Sequence, residues 1–210
     1  MYSMNNRPTI TTLSETIRRL SPSMEGVFSF ADLCNLVAAG SALQNARTIQ
    51  RLRRDGVLTK ICRGFYTTSD PNLWVLASRL RADTCISMDS VLAQNGLVGT
   101  IPERSVSAIS ASGRKRTITT PHGTIRFFSI QRSLLHIGST RLPNGVTVAD
   151  NEKAFLDTLY FFTKGARFVF DPRNEIALRK LNEKKIATYL RAYRNPKFKT
   201  FVTGVLHEKP

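Results

Sequence analysis

Between positions 44 and 54, Gln44, Asn45, Arg47, Thr48, Arg51, Arg53 and Arg54 have side chains of the types that read nucleic acid. Gln and Asn can pair with an adenine edge, Arg with the O6 and N7 of guanine, and Thr with base edges or phosphates. They alternate with Leu43, Ala46, Ile49 and Leu52, which recur every three residues. That spacing predicts a helix over Ala42 to Arg54, with those four apolar residues facing inward and Gln44, Arg47, Thr48 and Arg51 opposite. Gly56 stops it. Val57 to Ile61 then reads as a strand, Cys62-Arg63-Gly64 as a turn and Phe65-Tyr66-Thr67 as a returning strand. This hairpin would offer Lys60 and Arg63 to a neighbouring phosphate or to the minor groove.

Such a helix needs a scaffold, and the preceding residues supply one. Ile10, Leu13, Ile17 and Leu20 form a helical stripe that Ser21-Pro22-Ser23 ends, because the residue before a proline is pushed out of the α region. Ser29 has the chemistry of an N-cap for a short helix bearing Phe30, Leu33, Leu36 and Val37. Ala38 to Ser41, with Gly40, makes the turn. Three short helices followed by a hairpin describe a winged helix-turn-helix over residues 1–70. The competing readings are a merely solvated arginine face and a winged helix used for protein contacts.

Charge supports the first reading. The chain has 210 residues, with 31 Lys+Arg against 15 Asp+Glu and a net charge of +16. Such an excess favours a polyanionic partner. Arg104 to Ala149 holds seven basic residues and no acid, and Arg173 to Lys199 holds nine against Glu175 and Glu183. Within the first of these runs Arg114, Lys115, Arg116 and Arg126 suggest a second basic surface, weighed against a solvated basic loop.

Residues 71–210 read as a mixed α/β domain, which makes the whole chain α+β. Asp70-Pro71 marks the boundary, followed by a helix bearing Trp74, Leu76, Ala77 and Leu80. Cys85 to Met88 predicts a strand, with Ser87 or Asp89 capping a helix that ends near Gly96. Val106 to Ser110, and Arg116 to Thr120 with Thr124 to Phe128 around Pro121-His122-Gly123, predict strands. Leu134 to Ile137 and Val146 to Ala149 are further strand candidates. Asp150 reads as an N-cap for a helix whose inner face holds Ala154, Phe155, Leu159 and Phe162. Two short helices broken near Asn182 follow, Asn195-Pro196 ends the last, and residues from about 203 read as a mobile tail.

Several classes are excluded by composition. No apolar run reaches the length of a membrane span. Met1 to Thr12 lacks the apolar region of a secretory signal. Cys34, Cys62 and Cys85 are too few and too scattered for a disulfide framework or a zinc site, so they read as reduced, mostly buried cytoplasmic thiols. His122, His136 and His207 are equally dispersed, so neither metal nor cofactor is expected. Glu152 and Asp157 are five residues apart and do not share one helix face squarely, so capping suits Glu152 better than acid–base chemistry. Asp171 with Glu183-Lys184-Lys185 has the letters of a metal nuclease, but the latter run reads as helical. No Walker A, GxSxG or HExxH motif occurs. No catalytic residue is assigned.

The chain resembles the AbiEi-type antitoxins, predicted transcriptional regulators of viral defence systems. The similarity lies in Arg51-Leu52-Arg53-Arg54-Asp55-Gly56-Val57-Leu58 with Arg63-Gly64-Phe65-Tyr66, and in Trp74-Val75-Leu76-Ala77. It continues in Ile86-Ser87-Met88-Asp89-Ser90-Val91-Leu92-Ala93 with Gly96-Leu97, and in Val148-Ala149-Asp150-Asn151-Glu152-Lys153-Ala154-Phe155-Leu156-Asp157. Their order and spacing are similar over roughly residues 10–200. The resemblance implies an N-terminal winged helix that binds double-stranded DNA at promoter repeats and represses its own operon. It also implies a C-terminal antitoxin-like domain that counters a nucleotidyltransferase-like toxin without a stable complex, as a type IV antitoxin. Two other classes remain beside it: a structured-RNA-binding protein using the basic C-terminal residues, and a nuclease.

Overall fold

The computed structural model describes residues 8–38, 41–99 and 104–207, and the chain divides into two compact units, Met1–Leu76 and Ala77–Pro210. The division falls inside helix α4 (Leu73–Leu80), slightly beyond Asp70-Pro71.

In the first unit, α1 (Ile10–Leu20) starts at Thr9, whose hydroxyl accepts from Thr12 N. Its stripe buries Leu13 and Ile17. Strand β1 (Val27–Ser29) follows a turn at Gly26, whose φ is +68°. A side chain there would put its Cβ 2.8 Å from Pro71 Cα, so both backbone conformation and space require glycine. Helix α2 (Phe30–Val37) opens with a reciprocal cap: Asp32 N donates to Ser29 Oγ at 3.1 Å and Ser29 N to Asp32 Oδ2 at 2.8 Å. The expected turn at Gly40 lies outside the described residues.

Helix α3 (Ala42–Arg54) is capped by Ser41, and Gly56, at φ +71°, lets the chain turn back. Strands β2 (Thr59–Cys62) and β3 (Phe65–Thr67) form the expected hairpin. The three strands lie in the order β1-β3-β2, all antiparallel. One core joins Leu13, Ile17, Phe28, Leu33, Val37, Ile49, Leu52, Leu58 and Tyr66. Ile49 and Leu52 are thus inward as expected, whereas Leu43 and Ala46 are exposed, Leu43 by 62%. They share the period of the stripe, but the core ends before the first turns of α3.

The second unit is built on a six-stranded sheet in the order β6-β7-β5-β4-β9-β8. Its strands are β4 (Thr84–Ile86), β5 (Ser105–Ser110), β6 (Arg116–Thr120), β7 (Gly123–Ser129), β8 (Ser139–Arg141) and β9 (Thr147–Ala149). β5 runs parallel to β7, and β4 to β9; the other neighbours are antiparallel. Leu134 to Ile137 is not a strand: helix α6 (Arg132–Leu135) buries Leu134 and Leu135 there. A four-residue apolar run has no period to separate the two. Helix α5 (Asp89–Gln94) is entered through Met88, at φ +56°, and neither Ser87 nor Asp89 is its N-cap. Ser87 is drawn elsewhere, as described below.

Helix α7 (Asn151–Phe162) starts at Asp150, whose side chain accepts from Lys153 N at 2.8 Å. Ala154, Phe155 and Leu159 are buried as expected and Phe162 is half-buried, yet Glu152, Lys153, Asp157 and Thr158 are buried too. Lys153 and Asp157 form an ion pair with both side chains shut off from solvent. Ser87 Oγ donates to Asp157 Oδ2 at 2.6 Å and Tyr193 OH to Oδ1 at 3.4 Å. Burial pushes the Asp157 carboxyl up, against the Lys153 charge and these hydrogen bonds. The neighbouring Cys85 thiol is pushed up to about 12, by burial first and by Asp157 second.

After a single 3-10 turn at Leu178–Lys180 comes α8 (Glu183–Leu190), capped by Asn182, and then α9 (Pro196–His207). The expected tail from 203 is therefore helical through His207. Phe198, Val202 and Val205 bury an i, i+4, i+7 stripe, and Pro196 begins this helix instead of only ending its predecessor. No helix among the described residues is long and apolar enough to cross a membrane.

Candidate nucleic-acid interface

Helix α3 is anchored to the core through its second half. Ile49 and Leu52 fix it to the core, and Val57 N donates to Leu52 O at 3.0 Å, leading the chain directly into β2. Arg47, Arg51 and Arg54 are exposed and recur at i, i+4 and i+7, so they share one face. Gln44 is exposed beside them, and Arg53 is exposed toward the other edge. Asn45 and Thr48 are half-buried on the flank nearer the core, which gives them less reach than their residue types suggested. Periodicity passed over two members of this face, Gln50 and Leu43, both exposed one helical turn from an arginine.

None of Arg47, Arg51, Arg53 and Arg54 has an ion pair among the described residues. Lys60 on β2 and Arg63 at the hairpin turn are exposed as well, and Gly64, at φ +85°, closes that turn. The first unit thus presents a helix and an adjoining hairpin whose exposed cations form no ion pair among the described residues. Clustered unpaired cations repel one another, and an anion relieves that repulsion.

The four residues expected to form a second basic surface separate into two groups. Arg114, Lys115 and Arg116 are exposed at the start of β6. Arg81 supports their turn: its guanidinium donates to Arg114 O at 2.8 Å and lies 4.4 Å from the centroid of the Phe127 ring. Burial, and then the Arg116 charge, hold Arg81 below the ordinary arginine range. Arg126 instead points inward, paired with the buried Asp89, and donates to Ser107 Oγ at 2.8 Å and Arg167 O at 3.2 Å. Its charge is thereby largely neutralised, which removes it from that surface. The missed partner was Asp89, which lies outside the acid-free run.

Among the described residues no group of three or more His, Cys, Asp or Glu side chains is placed to hold a metal ion. All three cysteines are free; Cys85 is buried and Cys34 and Cys62 are half-buried. Lys185 bridges Asp150 Oδ2 at 2.8 Å and Glu152 Oε2 at 3.1 Å, and Glu152 Oε1 accepts from Asn182 N at 3.0 Å. These carboxylates tie α7 to α8.

No family model matches the chain, and no curated protein matches it significantly. Among solved structures, the chain is similar to the crystal structure of the RV2827C protein from Mycobacterium tuberculosis. The TM-score is 0.60 at 15% identity, over 92% of this chain and 75% of that one. At that identity the likeness concerns the fold: a mixed α+β architecture shared over most of the chain.

Proposed function

We propose that the chain is a DNA-binding transcriptional autorepressor whose first unit works as a winged helix-turn-helix. In this reading α3 enters the major groove of a promoter repeat and the β2–β3 hairpin is the wing. The observation that carries it is the exposed arginine face of Arg47, Arg51 and Arg54, without an ion pair among the described residues, on a helix that leads straight into a hairpin bearing Lys60 and Arg63. The strand order β1-β3-β2 around a three-helix core supports the same reading. The resemblance to AbiEi-type antitoxins extends the proposal to a type IV antitoxin of a phage-defence system, acting in the cytoplasm against a nucleotidyltransferase-like toxin.

A gel shift with the chain's own upstream promoter tests the first half. We expect a retarded band that an unrelated duplex displaces poorly and that Arg47→Ala with Arg51→Ala removes. An unchanged band would take α3 out of the interface. Co-expression with the toxin tests the second half through rescue of growth. The exposed Arg114, Lys115 and Arg116 favour a second reading, binding of structured RNA. Preferential competition by tRNA over promoter DNA would support it.

A further inference from the structure

A recess of the second unit combines charge with aromatic faces. One cavity of about 340 Å³ is lined by Lys115, Arg126 and Phe128 among others, and a second of about 450 Å³ by Phe162, Phe168 and Arg173 among others. Ala166 and Arg167 line both, so the two adjoin. Lys115, Arg167 and Arg173 are exposed, while Phe162 and Phe168 are half-buried. Among the described lining residues Asp171 is the one acid, and its carboxylate is used within its own turn. It accepts from Arg173 N at 2.9 Å and Asn174 Nδ2 at 2.8 Å.

The recess is also braced. Arg126 holds the carbonyl of Arg167, which fixes the wall common to both cavities, and the Arg126 guanidinium lies 5.9 Å from the Phe168 ring. The Arg126 Nε is buried without an acceptor among the described residues. Arg173 sits 5.3 Å from the Phe162 ring. Each cavity falls in the range of about 300–1,000 Å³ typical of small-ligand sites, and two in series suit an extended chain.

We infer that this recess binds single-stranded nucleic acid, with Lys115, Arg167 and Arg173 meeting phosphates and a base stacked on Phe168. A duplex keeps its base faces inside and cannot use a recessed ring. An acidic peptide would use the cations but has no need of the phenyl faces. Cations along a groove with aromatic platforms are what sequence-tolerant single-strand binding requires. The site is separate from α3 and does not depend on the role proposed for it.

Fluorescence anisotropy of the full chain with labelled 12-mers of oligo-dT and oligo-U tests this. Both are expected to bind with strong salt dependence, and a preference for oligo-U would identify RNA as the source. Arg167→Ala with Arg173→Ala should weaken binding at least tenfold, and Phe168→Ala about five-fold or more, in line with the loss of one stacked base. Phe168→Tyr should retain affinity. The exposed arginine pair carries the test if Phe168→Ala misfolds. Unchanged affinity in the arginine variant would overturn the site. So would displacement by poly-glutamate with Phe168→Ala silent, which would make it an acidic-protein surface.

Discussion

Helices α3 and α7 both carry charged residues at helical spacing, and they use them in opposite ways. On α3, Arg47, Arg51 and Arg54 are exposed and form no ion pair among the described residues. On α7, Lys153 and Asp157, also one turn apart, are shut inside and complete each other with help from Ser87 and Tyr193. A buried pair must be satisfied within the fold, because an unpartnered charge there is costly. An exposed row of like charges has no such requirement and gains only when something outside neutralises it. The pair on α7 is therefore structural, and the row on α3 is the one on which the proposed DNA contact rests.

The largest effect should come from breaking the inner pair. Asp157→Ala strands the Lys153 charge and is expected to destabilise the chain by about 3–5 kcal/mol, measured by urea unfolding. Lys153→Met with Asp157→Leu should recover much of that loss, because both partners leave together.

On α3 the same kind of change should act on binding. Arg47→Ala and Arg51→Ala are each expected to cost ~1–3 kcal/mol in promoter affinity if they reach bases. Stability should stay within about 0.5 kcal/mol, as for ordinary surface substitutions. Equal losses of stability and affinity would erase the contrast between the helices.

Smaller effects sharpen it. Ser29→Ala removes one half of the α2 cap and should cost about 1 kcal/mol of stability, with DNA affinity per folded molecule unchanged. Lys60→Ala should weaken binding to all duplexes alike and lower the salt slope by about 1. Cys85, buried with its thiol pushed up to about 12, should resist a thiol reagent in the folded protein at pH 8 and react only on unfolding.

The parts of the fold legible in the sequence are those where local chemistry decides. Ser29 and Asp150 were readable as caps, Gly56 as a stop and the 3.6-residue period as α3. The rest depended on neighbours distant in the chain. β1 and β8 are three residues each, too short to show alternation, and exist because β3 and β9 pair with them. Leu43 has the right period, but period places a residue on a face without saying how far the core extends beneath it. For the candidate site, the exposed arginines were legible from type and spacing. The loss of Arg126 to Asp89 was not, since 37 residues separate them. The Lys153–Asp157 spacing was visible, yet only burial identifies it as a core pair.

In the proposed complex the arginine face of α3 lies in a major groove. Dimethyl sulfate footprinting on the promoter duplex tests it most directly, because the reagent methylates guanine N7 within that groove. The full chain is expected to protect N7 at repeated guanines, and this protection should be lost with Arg47→Ala and Arg51→Ala. A bound duplex whose guanines all react as freely as naked DNA would contradict it.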